Sequence, residues 1–248
     1  MRALTRSATF QLKARLTRRP VLADLGEAKI LVYLGNAAAT KVIYGSPPDW
    51  EEMLAWKRII RRGDLFIDVG ANVGTYSLWA AALGARVIAV EPDSLALARL
   101  RDNVVLNSRF DIEVIPAALA DHEGTVGFTE GLDTVNRIGS GRVVKALTLD
   151  GVLGQERARG VKIDVEGFEQ VVLAGAQNAI AAHRIDILQL EWNGMSRVSV
   201  GADRRPIADM LRGAGYSLMR PNASGSLTPC SVAGFGADVF ALAPQVAF

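Results

Sequence analysis

The chain has 248 residues, half of them hydrophobic, which is enough for one substantial domain with a large core and short for two. Its 28 basic and 26 acidic residues leave a formal net charge of +2, so no electrostatic case exists for a nucleic-acid partner. One cysteine, Cys230, and two histidines, His122 and His183, exclude a disulfide framework and a thiolate zinc site, argue against a His-based zinc centre, and fit a reducing, cytoplasmic setting.

Residues 1–23 carry Arg2, Arg6, Lys13, Arg15, Arg18 and Arg19, with no acid before Asp24. They lack the apolar middle of a secretory signal. They read as a solvated helix packed on the domain, with Leu4, Ala8, Leu12 and Leu16 on one face. An organellar transit peptide or a basic membrane-surface contact has the same composition. KILVYL (29–34) and TKVIYG (40–45) then predict a small β-hairpin, completing an amino-terminal segment over 1–50 that packs on a main domain over 51–248. After Pro47-Pro48 a helix opens with Asp49 as cap and Met53, Leu54, Ile59 and Ile60 as apolar positions. No apolar run reaches transmembrane length.

From residue 65 strands and helices alternate. Strands are predicted at 65–69, 86–91, 111–116, 160–165 and 185–191, and helices at 75–84, 93–106, 168–182 and 204–213. Short, almost wholly apolar strands such as LFIDV and RVIAV are what a sheet covered on both faces requires. The alternation implies an α/β fold with a parallel sheet, whose ligands sit beyond the carboxyl ends of the strands. YSLMR (216–220) and ADVFALA (237–243) are joined by a Ser/Gly/Pro-rich loop too broken for a crossover helix, which predicts an antiparallel final pair.

FIDVGANVGTYS (66–77) reads as a strand ending on Asp68, a turn with Gly70 and Gly74, then a helix. A glycine turn at a helix start lets a ligand approach the backbone. The region Asn72-Val73-Gly74-Thr75 has no lysine, which excludes a P-loop. An aspartate at the strand end would repel the pyrophosphate of a dinucleotide and suits a ligand with an ammonium group, as S-adenosylmethionine has. Glu91, ending VIAVEPD on the next strand, can accept hydrogen bonds from both ribose hydroxyls. Glu91 alone does not separate the two cofactors; its combination with Asp68 does.

VKIDVEGFEQVVLAG (161–175) ends a strand on Asp164 and follows it with Glu166, Gly167 and Glu169, while LQLEWNG (188–194) ends on Glu191 and Asn193. Charges at the ends of buried strands are costly unless used or paired. Three roles are open for them. Asp164, Glu191 and Asn193 can ligate a divalent cation such as Mg2+. Asp164 or Glu191 can orient or deprotonate a substrate hydroxyl. Alternatively, the acids pair with Lys162 or Arg184, or cap the following helix. His122 and His183 read as surface residues and Cys230 as a bystander.

Taken together, FIDVGANVGTYS, VIAVEPD, NVVLN (103–107), ALTLD (146–150), VKIDVEGFE and LQLEW resemble the FkbM family of S-adenosylmethionine-dependent methyltransferases over roughly residues 60–243. The resemblance implies a Rossmann-like class I methyltransferase: a seven-stranded, mostly parallel sheet with its last strand reversed, in three α/β/α layers. It implies O-methylation of a sugar, glycolipid or secondary-metabolite hydroxyl by a monomer or homodimer. By position, Asp68, Gly70, Asn72 and Gly74 would line the methionine end of the donor, Glu91 the ribose, and Pro92 with Ala117 and Ala118 the adenine. Asp164, Glu166, Gly167 and Glu169 would line the active site. No Asp/Asn-Pro-Pro-Tyr follows the fourth strand, which disfavours N-methylation. GLDTVNRIGSGR (131–142) has the look of a substrate-covering loop, with Asn136 and Arg137 as candidate contacts. The competing readings are an NAD-dependent oxidoreductase, which would need a third loop glycine, and a non-catalytic protein that binds S-adenosylmethionine.

Overall fold

A computed structural model describes residues 10, 15–17, 19–33, 42–43, 45, 49–129, 138, 141–192, 204–231 and 238–246. Leu4, Ala8 and Leu12 of the predicted basic helix lie outside these residues, and Leu16 is exposed. The first sheet is a hairpin of β1 (Val21–Leu25) and β2 (Ala28–Val32), closed by Gly26 and Glu27 with Gly26 at φ +61°. This corrects the expected pairing. The segment 29–34 contributes to the second strand, but its partner is Val21–Leu25 and not 40–45, and Val42 and Ile43 are helical. A glycine-led two-residue turn matches the natural strand twist and closes the shorter loop.

Helix α1 (Trp50–Ile59) buries Met53, Ala55, Trp56 and Ile59. Strand β3 (Leu65–Val69) is buried at every position, and α2 (Thr75–Ala82) is buried almost all round. Next come β4 (Arg86–Val90), α3 (Ser94–Leu106) and β5 (Ile112–Ile115). Asp93 caps α3 by accepting from the Ala96 N–H at 2.7 Å, a bond of a kind that contributes about 1 kcal/mol.

The chain then builds a small sheet that the strand–helix alternation does not announce. Its strands β6 (Ala118–Leu119), β7 (Gly124–Phe128) and β8 (Arg142–Leu147) lie in the order β6-β8-β7. After α4 (Leu149–Leu153) comes β9 (Ala158–Ile163). The helix predicted over 168–182 is two helices, α5 (Glu169–Ala174) and α6 (Gln177–Ala181). The break falls where Gly175 passes so near the Ala120 carbonyl that a Cβ would lie 2.1 Å from its oxygen. The chain ends with β10 (Ile185–Leu190), α7 (Arg205–Gly213), β11 (Ser217–Pro221), β12 (Leu227–Pro229) and β13 (Val239–Leu242).

The main sheet runs β12-β11-β13-β10-β9-β3-β4-β5. Strands β5, β4, β3, β9 and β10 pair in parallel, and β13 lies antiparallel to both of its neighbours. The expected seven-stranded sheet with its last strand reversed is present, and β12 adds a short eighth strand at the edge. Successive strand residues face opposite ways. Ile67, Val161 and Leu188 therefore join the core under α5, α6 and α7, while Phe66, Val87 and Ile187 join a second core with α1, α2 and the hairpin. These are the three layers.

Two asparagines of α3 dock the hairpin. Asn103 accepts from the Leu31 N–H at 2.8 Å and donates to the Val73 carbonyl at 2.9 Å. Asn107 accepts from the Lys29 N–H at 2.9 Å and donates back to the Lys29 carbonyl at 2.6 Å. The amides thus stand in for a neighbouring strand along β2.

Candidate active site

The carboxyl ends of β3, β4, β9 and β10 gather most of the residues singled out above. Asp68, the penultimate residue of β3, has 1% of its surface exposed. Its Oδ2 accepts from the Ser77 hydroxyl at 2.6 Å, and its Oδ1 is buried with no partner among the described residues. Burial raises the Asp68 carboxyl, opposed by the nearby Lys162 ammonium and the Ser77 hydrogen bond. A second buried oxygen, Thr75 Oγ1 at the start of α2, also lacks a partner there.

The turn between β3 and α2 needs its glycines. Gly70 has φ +76°, and a Cβ on it would sit 2.0 Å from the Asp164 carbonyl oxygen. Gly74 has φ +90°, and its Cβ would sit 2.6 Å from Leu100 Cδ1. Asn72, also left-handed at φ +51°, donates its N–H to Glu91 Oε2 at 2.7 Å. The other Glu91 oxygen accepts from the Asp93 N–H at 2.7 Å, so the carboxylate is aimed by backbone from two elements. Each of its oxygens retains a lone pair for a further donor. Burial pushes Glu91 up to about 7. Pro92 lies next to it, its carbonyl accepting from Arg142 Nη2 at 2.8 Å. Ala118 is buried in β6 against Ala146.

At the end of β9, Lys162 Nζ donates to Asp164 Oδ2 at 2.7 Å and stands 4.6 Å from the centre of the Tyr76 ring. Of the two basic residues named as structural partners, Lys162 pairs with an active-site acid, whereas Arg184 donates to the Gly154 and Glu156 carbonyls at the opposite end of the sheet. The chain then reverses through Glu166 at φ +53° and Gly167 at φ +104°. Left-handed backbone at a glutamate costs about 1–3 kcal/mol and recurs at functional sites. The reversal brings one carboxylate oxygen from each of Asp164, Glu166 and Glu191 within 4.8 Å of one another. Burial first, then the charges of Asp164 and Glu166, push Glu191 up to about 9, so it is a neutral acid near pH 7.

Glu169 is a correction. It is fully buried, accepts from the Gly167 N–H at 3.1 Å and is ion-paired with the buried guanidinium of Arg204. It braces the reversal from behind instead of lining the site. Asn136, Arg137 and Asn193 lie outside the described residues.

Besides Ser77, a cluster around Gln189 was not among the residues singled out. Gln189 Nε2 donates to Asp238 Oδ2 at 2.7 Å and to the Tyr76 hydroxyl at 3.3 Å, and its Oε1 accepts from the Trp56 indole. Burial and Asp164 push Asp238 up to about 7. A glutamine inside the otherwise apolar run ILQL (187–190) is the one signal that could have revealed this cluster.

The described arrangement is fit for S-adenosylmethionine. It offers a buried free carboxylate oxygen for an ammonium group, a side-chain-free turn beside it, and an aimed carboxylate on the next strand. The Methyltransferase FkbM domain matches residues 68–218. The hexuronic acid methyltransferase AglP of Haloferax volcanii is 27% identical over 164 residues, 62% of this chain and 64% of its own length. Precorrin-6y C5,15-methyltransferase of Geobacter metallireducens is 14% identical, with a TM-score of 0.45 over 77% of this chain and 86% of that one. A TehB-like SAM-dependent methyltransferase of Corynebacterium glutamicum is 11% identical, with a TM-score of 0.45 over 77% of this chain and 85% of that one.

Proposed function

Because the chain belongs to the FkbM methyltransferase family, we propose that it moves a methyl group from S-adenosylmethionine to a hydroxyl of a sugar or a sugar-bearing acceptor such as a glycolipid or secondary metabolite. The observation that carries the reading is Asp68 Oδ1, a buried carboxylate oxygen left unpartnered among the described residues, beside a turn that requires glycine at position 70. A buried unpaired acceptor is costly and calls for a donor from outside the protein. A dinucleotide reading places a pyrophosphate against that same carboxylate, which is repulsive. The sugar class rests on the hexuronic acid methyltransferase among its relatives.

The bound donor supplies a methyl carbon already activated by its sulfonium, so the protein's task is placement and proton removal. Asp68 would hold the ammonium and Glu91 the ribose hydroxyls, on a turn whose close packing against Asp164 and Leu100 requires Gly70 and Gly74. Asp164, held by Lys162, would accept the proton of the acceptor hydroxyl, while the methyl carbon's bond to sulfur breaks and S-adenosylhomocysteine leaves. Glu191, kept neutral, donates a hydrogen bond to an acceptor oxygen. Asp164, Glu166 and Glu191 also form an oxygen set of the kind a divalent cation uses. Lys162 already supplies a cation beside Asp164, so the reading favoured is a metal-independent reaction.

Calorimetric titration with S-adenosylhomocysteine and with NAD+, followed by radiolabelled methyl transfer to a panel of hexoses, hexuronates and glycolipids, tests the reading. Binding of S-adenosylhomocysteine alone and label in a sugar hydroxyl are expected. Binding of NAD+ instead would overturn it.

A further inference from the structure

Gln189, Lys162 and Asp68 are register partners on β10, β9 and β3, so their side chains leave one face of the sheet side by side. All three are no more than 4% exposed. Trp56 forms the floor beneath them: it lies over Gly160, where a Cβ would come within 2.6 Å of the indole, and packs edge-on against Phe66. Three polar residues in the middle of a buried sheet are costly unless their atoms are satisfied. Both ends of the Gln189 amide are bonded, and the Lys162 ammonium rests on Asp164 and the Tyr76 ring. The row therefore comes down to one open atom among the described residues, Asp68 Oδ1.

Lys162 is the row's single cation, and carboxylates flank it on two sides. Asp164 is its hydrogen-bond partner and Asp68 its register partner on β3, and both, with Asp238, attract the ammonium. We propose that Lys162 is a positioning residue that couples the two halves of the active site, its ammonium serving as the shared counter-ion of Asp68 and Asp164. The inference rests on the donor reading given above. Burial pulls the Lys162 ammonium down, but Asp164 and Asp68 outweigh it, so the cation persists throughout the working range. What Lys162 gives to one carboxylate it withholds from the other, and the charge of Asp164 is felt at Asp68. The acceptor half thereby sets how well the donor half holds an ammonium group.

The groups facing Asp68 are Ser77 from α2, Lys162 and Asp164 from β9, and Glu91 from β4. Those facing Lys162 are Tyr76 from α2, Asp164 and, before β13, Asp238, with Glu52 of α1 acting on Asp238. The sign follows from these. Ionised Asp68 binds the ammonium, so donor affinity is present above its pKa and lost as pH falls through it. Removing Lys162 raises that pKa and moves the loss to higher pH. Neutralising Asp164 does the reverse. Glu91 adds its own dependence near neutrality to every variant alike, so the comparison lies between variants.

The test is calorimetric titration of the full chain with S-adenosylhomocysteine from pH 5.5 to 8, alongside thermal melts. Lys162→Met is expected to shift the acid limb of affinity upward by about one pH unit, an affinity loss of about tenfold at the foot of that limb. Asp164→Asn is expected to shift it downward. Adding Lys162→Met to Asp68→Asn is expected to produce no further shift. A Lys162→Met protein that binds more weakly by one constant factor at every pH has lost only structure, and the proposal falls. If Lys162→Met does not fold, Asp164→Asn decides, and an unmoved limb overturns the coupling. Wild type that fails to bind at any pH overturns the donor reading and the coupling together, a result distinct from either.

Discussion

Gly70→Ala tests the donor turn most directly, because the structure separates its two costs. The first is backbone strain. At φ +76° an L-residue is disfavoured by about 1–2 kcal/mol. The second is overlap, since the new methyl carbon would lie 2.0 Å from the Asp164 carbonyl oxygen and 3.0 Å from its carbon. Carbon and oxygen normally approach no closer than about 3.3 Å, so the ends of β3 and β9 must part by about 1.3 Å. Overpacking of this kind costs about 1–3 kcal/mol more. The sum, about 2–5 kcal/mol, corresponds to a fall in Tm of roughly 4–20 °C for a chain this size. Gly63→Ala is the control. It has φ +86° with nothing within 4 Å, so it carries the strain without the overlap. Its expected cost is about 1–2 kcal/mol, or roughly 2–8 °C. Calorimetry with S-adenosylhomocysteine then reads the function. Gly70→Ala is expected to weaken binding about 100-fold, the scale on which a misplacement of an ångström is felt in an active site. Gly63→Ala should bind as the wild type does. Equal affinity in wild type and Gly70→Ala, despite a lowered Tm, would refute the assignment of this turn to the donor.

Other consequences can be checked by turnover and melting. Asp164→Asn should lower methyl transfer by about 100-fold or more, the typical contribution of a positioned base. Glu191→Gln should retain most turnover at pH 7, because the amide reproduces a neutral acid; wild-type turnover should fall as pH rises through about 9, where Glu191 ionises and loses its donated proton. Glu91→Ala removes an aimed charged acceptor and should weaken S-adenosylhomocysteine binding by about 2 kcal/mol in calorimetry. Glu169→Ala leaves the Arg204 guanidinium buried and unpaired, which should cost about 3–5 kcal/mol by circular-dichroism melts.

The parallel core was legible because LFIDV, RVIAV and the strands after them are short apolar runs between turn residues, and the sheet places them within a few residues of expectation. Asp68, Glu91, Asp164 and Glu191 were legible because an acid ending such a run stands out against it. What stayed hidden depends on contacts between distant segments. The small β6-β8-β7 sheet reads as a loop from its sequence, since GTVGF carries two glycines in five positions. The hairpin was misplaced because VLADL, with a charge at its fourth position, has a weaker β-branched and aromatic pattern than TKVIYG. Glu169 looks like an active-site acid in VKIDVEGFE, and only its ion pair with Arg204, beyond the next strand, removes it. Gln189 and Asp238 show their importance only when β9, β10 and β13 lie side by side.

The two asparagines of α3 bear on how this chain can be shortened. Asn103 grips the Leu31 N–H with its oxygen and the Val73 carbonyl, inside the donor turn, with its nitrogen. A fragment cut at residue 50, just ahead of the strand–helix alternation, would strip the outer partners from both amides and let the turn slacken from behind. Such a fragment should bind S-adenosylhomocysteine more weakly than the full chain, although it retains every residue assigned to the donor. Equal affinity would show that the hairpin is a detachable ornament. The useful boundary for a minimal enzyme therefore lies before Val21, ahead of the first strand.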